Sequence, residues 1–146
     1  MNTDALRGDF QAEALEHLCS MEAELLKLER TPSDTEPIRR MFVSAHTIKG
    51  GAALLELQEI REIAHALEDV LSWLRDGRRP LVAEIADQFF HTVDLLRSLV
   101  GAADGHVGTP ETHQSTKDVI GNLRAIVNAA PKEATQIGRA SCRERV

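Results

Sequence analysis

The chain has 146 residues, of which 42% are hydrophobic, and a formal net charge of -6. Such a chain suits one globular domain with one sizeable core, which excludes an intrinsically disordered protein. Its acidic balance argues against a nucleic-acid binder or a polybasic membrane module, and no apolar run approaches the ~20 residues of a membrane span.

Aromatic residues make up only 3%, with no Tyr and a single Trp, Trp73. The core must therefore come from Leu, Ile, Val and Ala, which favours helices over a β-sandwich. Met1-Asn2-Thr3-Asp4 lacks the basic and apolar regions of a signal peptide. Cys19 and Cys142 form no disulfide framework, so a reducing cytoplasm is the expected compartment. Residues 137–146 have no apolar period and hold three Arg and one Glu. They resemble the translation of a sequencing-adapter read-through and are expected to be a non-native tail, with the native protein continuing beyond Gln136. Residues 131–136 are read as the start of a linker, and 1–130 as the domain.

Taken in chain order, the first helix is predicted over about Asp4 to Glu29. Phe10, Ala14, Leu18, Met21, Leu25 and Leu28 recur every three or four residues as one apolar stripe. Glu13, Glu16, Glu22, Glu24 and Lys27 fall on its other faces. Thr31-Pro32-Ser33 ends it. Ser33-x-x-Glu36 then has the pattern of a capping box, with Pro37 in the first turn of the second helix. Ile38, Met41, Ala45, Ile48, Ala52 and Leu55 are its buried stripe.

A tight turn at Glu56-Leu57 leads into a third helix with Ile60, Ile63, Ala64, Leu67, Leu71 and Leu74 inward. Arg61, His65, Glu68 and Ser72 form an adjacent polar flank. Asp76-Gly77-Arg78-Arg79-Pro80 stops it. The fourth helix spans about Val82 to Val100, with Ile85, Ala86, Phe89, Val93, Leu96 and Val100 inward. It has no Ser, Thr, Asp or Asn N-cap near Val82. Gly101 to Pro110 reads as a loop. Ser115-x-x-Asp118 is read as the start of a fifth helix carrying Val119, Leu123, Ile126 and Val127, which Pro131 ends. No stretch alternates like a strand. The expected fold is all-α: an antiparallel up-down four-helix bundle with a fifth, shorter C-terminal helix.

One stretch does not fit a plain core helix. Ala45-His46-Thr47-Ile48-Lys49-Gly50-Gly51 places a His, a Lys and two Gly mid-helix. At about 100° per residue His46 lies roughly 130° from the centre of the buried stripe, so it is predicted at the surface. It shares that face with Arg39, Phe42, Lys49, Gly50 and Ala53.

This stretch, followed by His65-Ala66-Leu67-Glu68-Asp69, resembles the histidine phosphotransfer (Hpt) domain. It is most similar to the N-terminal Hpt domain of chemotaxis-type histidine kinases, the CheA family, over about residues 4 to 130. H-x-x-K-G alone is a weak signal; H-x-x-K-G-G with H-x-x-E-D on consecutive helices is more specific. The resemblance implies a two-component phosphorelay. His46 would accept a phosphoryl group from a kinase ATP-binding domain, expected in the same polypeptide, and pass it to a receiver-domain aspartate of a response regulator. It also implies that Glu68 bonds Nδ1, leaving Nε2 to be phosphorylated, and that His65 modulates the reaction.

The residue chemistry supports this independently. A neutral imidazole is a good phosphorus nucleophile near pH 7. Lys49, three residues on, can neutralise phosphoryl oxygens. The second ring nitrogen needs an acceptor that holds the tautomer, and Glu68 is the candidate. Gly50 and Gly51 cost up to ~2 kcal/mol relative to two Ala and so ask for a reason. Partner access and close helix packing are the two readings. Arg39, Phe42, Ala53 and Arg61 are candidates for docking a partner.

The family pattern usually has Gly just after the second helix, where this chain has Glu56. That residue either accepts a left-handed backbone at about 1 kcal/mol or forces a different turn. Glu62-x-x-His65 is half of a di-iron motif with no second copy, so no metal site is expected. No Gly-rich nucleotide loop is present, so the domain is expected to bind no cofactor itself and to be no complete kinase. ATP and Mg²⁺ would come from partner domains. The competing reading is a non-catalytic helical interaction bundle in which His46 does no chemistry.

Overall fold

The computed structural model describes residues 3–77, 81–102 and 110–142, with side chains described as far as Asn128. Five helices follow in order: α1 Thr3–Arg30, α2 Glu36–Leu54, α3 Gln58–Gly77, α4 Ala83–Gly101 and α5 Pro110–Cys142. The described residues contain no strand. The fold is an all-helical antiparallel bundle.

Residue pairs across neighbouring helices establish the antiparallel order. Between α1 and α2, Phe10 lies against Gly51, His17 Nδ1 is 3.3 Å from Ser44 Oγ, and Glu24 lies beside Arg40. Between α2 and α3, His46 meets Glu68 and Phe42 meets Arg75. The fourth helix closes the bundle against α1, and α5 packs on both α3 and α4.

Every predicted stripe except its end residues is buried. Leu18, Leu28, Ile63, Leu71, Leu74 and Leu96 are fully enclosed, with Phe89 the largest side chain among them. Each such aliphatic side chain contributes about 1.5–3 kcal/mol by leaving water. Phe10 and Leu55, at the ends of their stripes, are half-buried.

Helix ends depart from the sequence expectation in two places. The capping box at Ser33 does not form. The N-cap of α2 is Thr35, without a side-chain bond, and Asp34 Oδ1 instead accepts the Glu36 N–H at 3.1 Å. The Glu36 carboxylate cannot reach back because Arg39 and Arg40 hold it. The second departure is α5, which begins five residues early at Pro110 and runs through Pro131 to Cys142, so it is the longest helix and not the shortest. Proline at a first helical position has the right φ and lacks only an N–H that would go unpaired. Pro131 removes one helical hydrogen bond, and Ala129, Ala130 and Ala134 around it are the strongest helix formers. The expected linker at 131–136 is therefore helical.

Other ends follow expectation. Val82 caps α4 with backbone alone: its carbonyl accepts the N–H groups of Ile85 and Ala86. The C-terminal carbonyls of α4, from Val100 and Gly101, each accept a 3.0 Å bond from Gln11 Nε2 on α1. The stop signal Arg78-Arg79-Pro80, the Gly-rich loop at 103–109 and the last four residues lie outside the described residues.

One predicted outer-face acid is not outside. Glu24 is buried, 7% exposed, between Lys27 and Arg40. Its Oε1 lies 3.5 Å from Arg40 without hydrogen-bond geometry, while Oε2 accepts from Lys27 at 3.3 Å.

Candidate functional site

The turn between α2 and α3 decides which residues of the two helices meet. Leu57 N–H donates to the Ala52 carbonyl at 2.8 Å, and Glu56 N–H to that of Ala53 at 3.2 Å. This is a Schellman motif, whose left-handed residue is ordinarily Gly. Glu56 occupies it with φ 59°. Of the two alternatives at Glu56, the chain adopts the strained backbone and keeps the turn. The third helix thereby returns alongside α2.

On α2 the core positions Ala45 and Ile48 flank His46 in sequence and turn it outward, so 65% of its side chain is exposed. On α3, Glu68 follows the fully buried Leu67 and faces α2. It is not a surface flank residue: its side chain is 8% exposed. A buried carboxylate requires compensation for lost hydration. Here each oxygen has one partner. Oε2 lies 2.8 Å from His46 Nδ1, and Oε1 accepts from Lys49 Nζ at 2.8 Å.

An ionised carboxylate only accepts hydrogen bonds, so Nδ1 carries the imidazole proton and Nε2 keeps the lone pair. Lys49 pairs with Glu68 at 2.8 Å and is itself 27% exposed, so its charge is anchored at the base of the site and remains within reach of the surface. A groove next to it is lined by Lys49, Gly50, Ala53, Arg61, Glu62 and His65. His65 is exposed, with Nε2 4.0 Å from Asp69 Oδ1.

The two glycines separate. A Cβ on Gly50 would meet nothing within 4 Å, whereas one on Gly51 would lie 2.7 Å from Phe10 Cδ1. Gly51 therefore does not open the site to a partner, as expected from sequence; it lets α1 approach α2. Gly50 and Ala53 are exposed in the groove.

Arg39 is not brought to His46. It stands two turns away, with its guanidinium on Glu36. The hydrogen bond from Arg39 holds the Glu36 carboxyl below its ordinary value, and the same bond raises the Arg39 pKa.

Phe42 is nearer than a docking residue needs to be. Its ring is stacked with the His46 ring, centroids 6.3 Å apart and planes 7° apart. On α3, Arg75 sets its guanidinium carbon 5.2 Å from the Phe42 centroid. Sequence reasoning missed Arg75. The available signal was spacing: Phe42 is one turn before His46, and Arg75 two turns after Glu68 on a helix running the opposite way.

The bundle thus presents an exposed imidazole that is oriented by a buried carboxylate and flanked by a lysine and an open groove, which is the equipment of a phosphoryl-carrying histidine module. The family model for the Hpt domain matches residues 5–105, from α1 through α4, and the chain belongs to that family. It is 28% identical over 127 residues to a chemotaxis protein CheA of Treponema pallidum, covering 87% of this chain. It is 36% identical over 102 residues to that of Klebsiella aerogenes, covering 70% of this chain. The chain spans only 15% and 16% of those two relatives. Among solved structures, it is similar to the phosphorylated P1 domain of CheA3 in complex with CheY6 from R. sphaeroides. The TM-score is 0.75 with 25% identity, covering 86% of this chain and 98% of that one.

Proposed function

We propose that His46 is the phosphoryl carrier of this Hpt domain. In the first step Nε2 attacks the γ-phosphorus of ATP, an N–P bond forms, and the bond to the ADP oxygen breaks. The ring gains positive charge while Nδ1 retains its proton. Glu68 stabilises that charge and holds the ring direction. In the second step a receiver-domain aspartate oxygen attacks the same phosphorus, the N–P bond breaks, and neutral imidazole returns. Lys49 offsets phosphoryl charge in both steps, and His65, across the groove, modulates them.

The ATP and Mg²⁺ belong to the partners: a kinase ATP-binding domain, expected in the same polypeptide because the CheA relatives are far longer, and a receiver domain. A receiver partner is supported by the CheY6 complex of the similar P1 domain. Such a relay operates in the cytoplasm. No helix among the described residues is long and apolar enough to cross a membrane.

The observation that carries this reading is the 2.8 Å contact from a buried Glu68 to Nδ1 of an exposed histidine. A plain interaction bundle has no need of a buried charge aimed at a surface ring. Incubation with a CheA-type kinase domain and labelled ATP tests it. Acid-labile, alkali-stable label that disappears in His46→Gln is expected. Label that survives this substitution places the phosphoryl group on another residue and overturns the assignment, and a wild-type chain that takes no label leaves the non-catalytic bundle.

A further inference from the structure

One hydrogen bond does not immobilise an imidazole. The bond from Nδ1 to Glu68 fixes one direction, but the ring can still rock about that axis. Nε2 lies off the axis, so rocking swings its lone pair through an arc. In-line attack on phosphorus needs that lone pair held in one direction, which means the ring plane must be held too.

We infer that Phe42 and Arg75 supply that second constraint: Phe42 is a positioning residue that sets the plane of the His46 ring, and Arg75 acts through Phe42. The inference deepens the phosphotransfer reading and rests on it. Three observations carry it. The rings of Phe42 and His46 are within 7° of parallel at a 6.3 Å separation, within the range of favourable aromatic pairs. Phe42 is half-buried and packs on the hydrophobic core, so its own ring is not free to follow solvent. The Arg75 guanidinium lies over the Phe42 ring at 5.2 Å, inside cation–π range.

Arg75 is not set as a phosphoryl ligand. Its Nε donates to Asp76 Oδ1 at 3.0 Å, and its cationic face is against Phe42. The chain of contact therefore runs from α3 to Phe42 to His46, beside the shorter one from Glu68 to His46. The two together fix direction and plane.

The test uses the full chain, a CheA-type kinase domain and labelled ATP, with Phe42→Leu, Arg75→Gln, the double variant and Phe42→Tyr. Phe42→Leu is expected to lower kcat by about tenfold with KM within about twofold. Nitrogen-15 NMR should show the His46 ring signals shifted and broadened while the Nδ1–H tautomer, held by Glu68, is kept. Arg75→Gln should give a smaller loss of the same kind, and Phe42→Tyr, which keeps the ring face, should restore kcat. Because Arg75 acts through Phe42, the double variant should be no slower than Phe42→Leu.

A folded Phe42→Leu with unchanged kcat and His46 signals overturns the inference. So does a raised KM with unchanged His46 signals, which would make Phe42 a docking residue. Losses that multiply in the double variant overturn the link from Arg75 through Phe42. Absence of label on the wild-type chain would instead strike the phosphotransfer reading itself.

Discussion

Glu68 reaches from α3 to within 2.8 Å of Nδ1 on His46 while keeping 92% of its own side chain out of water, since only 8% is exposed. The ring it holds is itself 65% exposed. Burial on one side of the contact and exposure on the other let the carboxylate act on the imidazole without competition from solvent.

From that relationship, Glu68→Gln should slow phosphorylation of His46 by about 10–100-fold while helicity stays intact. A neutral amide no longer selects the Nδ1–H tautomer or stabilises the charged ring. Lys49→Met should slow phosphorylation as well, by removing charge that faces the phosphoryl group, and it should also cost stability, about 1–3 kcal/mol, because it leaves a buried carboxylate with one partner fewer. The double variant should recover part of that stability and none of the rate. Urea unfolding and labelling rates measured on the three proteins check this. Equal stability of Lys49→Met and wild type would show that water replaces the ammonium.

Gly50 and Gly51 are expected to respond in opposite directions to alanine. Gly50→Ala adds a Cβ into open space and removes a helix-interior glycine, so it should stabilise by about 0.5–1 kcal/mol. It should also slow transfer to a receiver, because the added methyl stands in the groove. Gly51→Ala drives a Cβ into the Phe10 ring and should destabilise by about 1–3 kcal/mol. Phe10→Leu should relieve part of that loss. Thermal melts and receiver-transfer rates separate the two positions; a stabilised Gly51→Ala would disprove the packing role.

Glu56→Gly should stabilise the fold by about 1 kcal/mol. The residue sits at φ 59° in the Schellman motif, where a side chain carries a steric penalty and glycine does not. Phosphorylation should be unchanged, because the backbone bonds at Leu57 and Glu56 already set the approach of α3. A melting temperature that falls would mean the Glu56 side chain contributes more than its backbone costs.

Much of the bundle is legible from spacing. The stripes on α1 to α4 repeat every three or four residues, and such periodicity needs no knowledge of the neighbouring helix. The ends are less legible, because several local signals compete for them. Ser33-x-x-Glu36 matches a capping box, yet Asp34 is one residue nearer and Arg39 and Arg40 occupy the Glu36 carboxylate. Pro131 reads as a stop, yet an alanine-rich surrounding lets the helix pass it.

The sequence by itself determined that a helix would turn His46 outward beside Lys49 and that His65 and Glu68 would follow on the next helix. It also marked Gly50-Gly51 as costly and Glu56 as a poor fit to its turn. These are properties of one helix or one turn, set by residue type and by 100° steps. Only the tertiary structure decided that Glu24 and Glu68 are buried, that Gly51 belongs to Phe10, that Arg39 is remote, and that Arg75 reaches the histidine through Phe42. Those outcomes depend on the rotation and separation of one helix against another. That is set by the packing of the whole core, and no single stripe encodes it.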